Sequence, residues 1–237
     1  MPVINENRIQ AQKITEQMIE GNISHNTSPQ VGTNTKNMTV YLLIKRAADI
    51  VFSLFALTVL SPLLLIVICA IKLDSKGPAI YSQTRIGLNA IPFTMYKFRS
   101  MSLDAEERLT ELQALNERDG PVFKIQNDPR VTRVGVFIRK TCIDELPQLV
   151  NILKGNMSIV GPRPPLPNEV EEYTSYHRQR LSITPGLTCY WQISDRDVTF
   201  DQWVASDIRY IQERCLLLDM KIIFRTLLIV IKQMGAK

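Results

Sequence analysis

The sequence predicts an α+β protein: a re-entrant membrane helix, a small compact domain with a short sheet, and amphipathic helices lying at the membrane interface. Three observations predict it. Residues 50–71, "IVFSLFALTVLSPLLLIVICAI", run 22 positions without a charge, enough for a helix to enter a hydrocarbon core ~30 Å thick. "GPAIYSQTRIG" and "IPFTMYKFRSM" read as short strands joined by a turn near Gly87-Leu88-Asn89, with Lys97 and Arg99 on one face of the second and Tyr96 and Phe98 on the other. Elsewhere apolar residues recur at helical spacing but are broken by charges, so no second segment suits the bilayer core.

Residues 1–38 are rich in Asn, Gln, Thr and Ser and read as a disordered tether. With no basic-then-apolar start and no small-residue cleavage site, a secretory signal is not expected. Residues 39–76 follow as the membrane segment, a helix-break-helix. Ser61-Pro62 lies near its centre, where proline removes a backbone hydrogen bond. Both flanks are basic: Lys36, Lys45 and Arg46 before, Lys72, Lys76 and Arg85 after. Positive charge marks the cytoplasmic side of a membrane, and here both ends claim it. A helix that enters, breaks at Ser61-Pro62 and leaves on the same side satisfies both features. On these features alone, a plain spanning helix stands level with it.

Residues 77–237 form the remaining domain. "LDAEERLTELQALNER" (103–118) predicts an amphipathic helix with a stripe of Ala105, Leu109, Leu112 and Leu115. "TCIDELPQLVNIL" (141–153) predicts another, with Asp144 as N-cap, Glu145 favoured by the helix dipole and Pro147 in the first turn. As a cap, Asp144 would be replaceable by Asn at little cost in stability. "GNMSIVGPRPPLP" predicts a rigid surface loop presenting Arg163. The C-terminal "CLLLDMKIIFRTLLIVIKQMGAK" is apolar, but Asp219, Lys221, Arg225 and Lys232 make it too charged to span. It predicts a helix lying in the interface, its cations near anionic phospholipid headgroups.

Composition narrows the chemistry. The 237 residues carry 28 Lys and Arg against 23 Asp and Glu, a modest excess that suits anionic partners. Nucleic acid is not expected: the chain shows no helix-turn-helix, no aromatic RNA platform and no strongly basic domain. Cys69, Cys142, Cys189 and Cys215 are scattered, without the spacing of a zinc site or a disulfide framework. Arginines recur beside Gly and Pro turns at Arg85, Arg99, Arg130, Arg133, Arg139, Arg163 and Arg196. Guanidinium forks suit bidentate phosphate recognition. Among them, the adjacent carboxylates Asp144 and Glu145 gain a purpose beyond capping. A hard cation such as Mg²⁺ takes one or two carboxylates together with substrate phosphates, and a carboxylate can itself attack phosphorus.

In order along the chain stand "YKFRSM" (96–101), "DPRVTRVG" (128–135), "RKTCIDELPQL" (139–149), "LKGNMSIVGPRP" (153–164), "TPGLTCYWQISDR" (184–196) and "LDMKII" (218–223). Together they resemble the bacterial sugar transferases, the monotopic phosphoglycosyl transferases, from about Lys45 to Lys232. The resemblance implies a catalytic domain at the cytoplasmic face of a bacterial inner membrane and a re-entrant break at Ser61 and Pro62. It implies Asp144 as nucleophile and Mg²⁺ ligand, with Glu145 as its catalytic partner. Arg139, the Pro162-Arg163-Pro164 turn, Arg196 and Asp207 would bind substrate. The implied reaction passes a phosphosugar from a UDP-sugar to a polyprenol (undecaprenyl) phosphate, with release of UMP, to start an exopolysaccharide, capsule or O-antigen-type glycan. Three positions depart from the family pattern: Cys142 stands where serine is usual, and Asp195 and Asp197 flank Arg196 where Gly and Asn are common.

Two other readings compete. A catalytically silent module could bind lipid or nucleotide-sugar and scaffold an assembly; the intact dyad speaks against it. A nucleotide-sugar hydrolase would use water as acceptor; the membrane segment favours a lipid. The sugar is not legible, and a homodimer stays open.

Overall fold

The computed structural model describes residues 35–117, 119–193 and 198–232. Helix α1 (Thr35–Asp74) is followed by strands β1 (Ile80–Ile86) and β2 (Pro92–Phe98), the short helix α2 (Leu109–Leu112), and helices α3 (Arg133–Lys140) and α4 (Gln148–Lys154). Strand β3 (Ser158–Val160), helices α5 (Pro167–Glu171) and α6 (Ser175–Arg178), and strand β4 (Gly186–Thr188) come next. Helices α7 (Phe200–Glu213) and α8 (Leu216–Ile231) close the chain. The class is α+β, as expected, but the sheet is divided. β1 and β2 form an antiparallel hairpin, and β3 and β4 a parallel pair. The last strand pair is packed so closely that a Cβ at Gly186 would sit 2.1 Å from the nitrogen of Gly161.

Helix α1 begins at Thr35, so residues 35–38 belong to it rather than to the tether; residues 1–34 lie outside the described part. It continues through Pro62 as one 40-residue helix, where two helices were expected. The local chemistry explains how proline is carried. Pro62 has no N–H to give to the carbonyl of Thr58, and the Ser61 hydroxyl takes that acceptor at 2.8 Å, leaving no orphan in an apolar stretch. Only 11% of the most apolar window of α1 is buried, which separates it from the core helix of a soluble protein. Both halves nevertheless dock on the same domain. In the first half, Arg46 donates to the carbonyls of Ile152 (2.6 Å) and Leu153 (2.9 Å) at the end of α4. Asp49 accepts from the nitrogen of Ile159 at 3.0 Å. In the second half, Val67 and Ile71 pack with Ala79, Phe98 and Ile138, and Asp74 accepts from the nitrogen of Val134 at 3.2 Å.

Residues 103–118 do not form the expected amphipathic helix; turns cover 103–108 before the single turn of α2. A helix would need the Ala105 carbonyl for the N–H of Leu109. Arg130 takes that carbonyl at 2.9 Å, and Leu109 turns instead to Glu106 at 3.2 Å. The Pro-rich loop is irregular as expected, but it is buried rather than on the surface: Pro162, Pro164, Pro165 and Pro167 are all inside. Prolines bring no donors, so burying them requires only that their carbonyls be met. Gly186 N (2.9 Å), Arg85 Nη1 (3.1 Å) and Ile86 N (2.9 Å) meet those of Pro162, Pro164 and Pro165.

The C-terminal helix packs one face on the domain and exposes the other. Helix α8 buries Asp219 and Ile222 against the domain and leaves Leu217, Met220, Phe224, Leu227 and Ile231 exposed. That face and the exposed middle of α1, including Leu54, Phe55, Val59, Leu65 and Ile66, are extensive apolar surfaces.

Candidate active site

The acidic pair sits in a tight turn between α3 and α4. Thr132 caps α3 by accepting from Gly135 N at 3.0 Å, and the helix ends on Arg139 and Lys140. Cys142 then adopts a left-handed conformation, φ 56° and ψ 15°. A non-glycine residue held there costs of order 1–3 kcal/mol. The reversal launches a three-residue 3₁₀ turn, Ile143–Glu145, closed by Leu146 N to the Ile143 carbonyl at 3.1 Å. Pro147 stands at the N-cap of α4, and its side chain supplies no capping bond. Asp144 is therefore not the cap that its spacing suggested. It lies one turn earlier, buried at 8% exposure.

Burial and neighbours split the two carboxyls. Burial pushes Asp144 up to about 6, with Glu145 adding to the rise and Lys97 and Arg139 opposing it. Burial would also raise Glu145, but Lys97, Arg163 and Arg85 outweigh it and hold that carboxyl below its usual range. Lys97 on β2 donates to Glu145 Oε1 at 2.7 Å. Its strand is fixed by Asn151, which accepts from Tyr96 N at 3.0 Å and donates to the Thr94 carbonyl at 2.7 Å. Asp144 makes no ion pair among the described residues. Of the two, it keeps the uncommitted oxyanion.

The predicted arginines divide into two groups. Arg139 and Arg163 act electrostatically on the dyad, one on Asp144 and the other on Glu145. Arg85 joins them. Burial, with the Arg163 charge next, pulls its guanidinium down to about 10, while Nη1 and Nη2 donate to the Pro164 carbonyl (3.1 Å) and Gln83 Oε1 (2.8 Å). Arg99 and Arg130 are spent elsewhere. Arg99 donates to the carbonyls of Lys76 (2.7 Å) and Ser75 (2.8 Å) just after α1, and Arg130 forms a two-pronged pair with Asp128. Arg196 falls in 194–197, outside the described residues.

Asp207 lies behind the site. It is 1% exposed and pairs with Arg180, itself 2% exposed. Burial raises its carboxyl to about 6 against the pull of Arg180. Arg180 also reaches the Arg163 carbonyl at 3.5 Å and Tyr173 Oη at 2.9 Å. The Pro162-Arg163-Pro164 turn is thus braced by Arg180 on one side and by Arg85, through Pro164, on the other. The Arg163 guanidinium lies 5.8 Å from the Trp203 ring. Sequence reasoning missed Arg180, because "HRQRLS" reads as a solvated polar stretch. Lys97 stood in a quoted motif, but nothing in the sequence paired it with Glu145.

A cavity of about 420 Å³ opens beside the dyad. Phe52, Ala56 and Leu60 of α1 and Ile223, Leu227 and Val230 of α8 line its apolar part, and Cys142, Ile143 and Glu145 reach its wall from the turn. Among the described residues, no group of three or more His, Cys, Asp or Glu could hold a metal by itself. Asp144 and Glu145 offer hard oxygen donors that fit a cation brought by phosphates.

The chain is 46% identical over 199 residues to the galactosyl transferase CpsE of Streptococcus agalactiae, covering 83% of this chain and 44% of that protein. It is 40% identical over 193 residues to the UDP-glucose:undecaprenyl-phosphate glucose-1-phosphate transferase of Escherichia coli, covering 78% and 39%. With the exopolysaccharide production protein ExoY of Rhizobium meliloti the identity is 42% over 190 residues, and the alignment covers 78% of this chain and 84% of that protein. The chain thus spans under half the length of the first two relatives and most of the third. The family model for bacterial sugar transferases matches residues 40–233, nearly everything from α1 to the end of α8, and the chain belongs to that family.

Proposed function

We propose that this chain is an undecaprenyl-phosphate sugar-1-phosphate transferase that starts an exopolysaccharide or capsule-type glycan from a UDP-sugar. One observation carries the reading. Asp144, buried and without an ion pair among the described residues, adjoins Glu145, which with Cys142 and Ile143 lines an apolar cavity built partly from α1. That combination supports Asp144 as a phosphorus nucleophile with a long apolar acceptor lying alongside. The names of relatives fit it: one is an undecaprenyl-phosphate galactose phosphotransferase of Salmonella typhimurium, 44% identical over 201 residues.

An Asp144 oxygen attacks the sugar-bearing phosphorus. The bond from that phosphorus to the bridging oxygen breaks, and UMP leaves with the electron pair. An oxygen of the polyprenol phosphate then attacks the same phosphorus, the acyl phosphate breaks, and Asp144 returns as a carboxylate. Glu145, anchored by Lys97, governs the approach and protonation of the acceptor phosphate. Arg139 and Arg163 carry the donor's charge, with Arg85 adding to the positive field behind them; the same binding role is proposed for Arg196 on the family resemblance. Asp144 and Glu145 would hold Mg²⁺, which when bound neutralises the diphosphate. Helix α1, although helical throughout, is proposed to bend at Ser61-Pro62 within the inner membrane, so that it enters from the cytoplasmic face and returns to it. The basic flanks and the docking of both halves on one domain support that topology. The phospholipid bilayer covers α8.

The test omits the lipid acceptor. Wild type and Glu145→Gln are each incubated with a labelled UDP-sugar and Mg²⁺, and the peptide containing residues 141–153 is weighed. Added phosphosugar mass on Asp144 is expected in both; UMP release without any such adduct would overturn the covalent route.

A further inference from the structure

A second cavity, of about 110 Å³, lies where the first turns of α1 meet the junction of α7 and α8. It is far larger than the ~10–15 Å³ that one water needs. Lys45 and Arg46 from α1, Arg214 from the junction and Ser158 from β3 line it. Its polar groups are unevenly satisfied. Asp219 is fully engaged, accepting from Lys45 (2.8 Å), Tyr41 (2.9 Å) and Tyr210 (2.7 Å). Asp49 is held by Ile159 N, and the Arg46 fork by the end of α4. Arg214 spends only Nη1, on the Ile211 carbonyl at 2.6 Å, and its Nε is buried with no partner. The Ser158 hydroxyl, on a residue 3% exposed, has none either.

Three cations therefore meet two carboxylates, and one positive charge remains beside two unused donors. A buried polar group left without a partner costs free energy that a ligand can recover. The location selects the ligand. Leu42 and Leu43 beside Lys45, and Leu216 and Leu217 beside Arg214, are exposed apolar residues at the starts of the two lipid-facing helices, which is the level of the headgroups. We propose that this cavity binds the phosphodiester of an anionic phospholipid headgroup, with Arg214 and Ser158 as its free donors and Lys45 and Arg46 setting the charge. The bound lipid ties α1 to the α7–α8 junction. The site is separate from the dyad and does not depend on the reaction assigned there.

The test reads lipid retention, not transfer. The full chain, purified in non-ionic detergent, is titrated with short-chain phosphatidylglycerol and followed by native mass spectrometry, with phosphatidylcholine and inorganic phosphate as separate arms. One phosphatidylglycerol per chain is expected, with affinity about tenfold weaker in Arg214→Gln, the scale of one charge-assisted bond lost, and largely kept in Arg214→Lys. Ser158→Ala guards against misfolding. Without lipid it should unfold at a slightly higher temperature, because an unpartnered hydroxyl is gone, while phosphatidylglycerol stabilises it less than wild type. Equal retention by wild type and Arg214→Gln would overturn the proposal. So would equal binding of phosphatidylcholine, or displacement of the lipid by millimolar inorganic phosphate, which would make this a free-phosphate site.

Discussion

Replacing Asp144 with Asn should destroy transfer and stabilise the fold together. Its carboxyl is raised from 3.8 to about 6, chiefly by burial. At about 1.36 kcal/mol per unit, ionising it in place costs the native state ~3 kcal/mol at most. Glu145 shifts the opposite way as part of the same pair, so a net penalty of about 1–2 kcal/mol is the better expectation. The sign follows from linkage. The unfolded chain releases this proton near 3.8 and the native state only near 6. Wild type therefore loses stability as pH rises between about 4 and 6 and stays level above. Asn carries no such penalty. The difference between the proteins should open across that window and amount at pH 8 to roughly 2–8 °C in unfolding temperature. The assay is thermal unfolding of detergent-solubilised protein at pH 4.5 and 8, alongside UMP release and lipid-linked product. Transfer by the variant should fall by orders of magnitude, and wild-type transfer should decline on acidification through about 6 as the nucleophile is protonated. Unchanged stability at both pH values would refute the burial argument; near-normal product would refute the nucleophile.

Arg163→Lys keeps the charge but loses the planar fork, and UDP-sugar turnover should fall at least tenfold; equal turnover would remove bidentate phosphate binding from that turn. Arg180→Met leaves Asp207 charged and alone inside the protein, which should cost about 3–5 kcal/mol at pH 8. Arg180 holds the Asp207 carboxyl down at about 6, so without it the carboxyl takes a proton at higher pH. The loss should shrink as pH falls from 8 towards 6 and level off below, and adding Asp207→Leu should recover most of it; urea unfolding of the single and double variants reads both effects. Pro62→Ala restores an N–H to the Thr58 carbonyl, now served by Ser61, and should shift the helix toward spanning. Cysteine labelling at positions 40 and 80 from each side of the membrane measures that shift.

What the sequence made legible is what local chemistry decides. The hairpin of β1 and β2 follows from alternation and a turn, and both apolar helices follow from composition. The acidic pair read first as a helix cap, and only the resemblance to the bacterial sugar transferases singled it out as a candidate dyad. What stayed hidden was decided by long-range competition for hydrogen bonds. Residues 103–118 carry a sound helical stripe, yet Arg130, 25 residues after Ala105, takes a carbonyl that the helix required. Prolines in a row suggested a surface loop, because nothing local announces that Arg85, Ile86 and Gly186 will meet their carbonyls. Arginines show the same limit most plainly. Seven in irregular stretches looked alike as phosphate ligands, but a guanidinium is a five-donor fork that satisfies a carbonyl or an aspartate as readily as a phosphate. Arg99 and Arg130 went to the scaffold, and Arg180, in an unremarked polar stretch, became the brace behind Arg163. Which arginine keeps a free fork is thus a property of its neighbours in space. Arg85, though near enough to Arg163 to feel its charge, gives its own fork to Pro164 and Gln83.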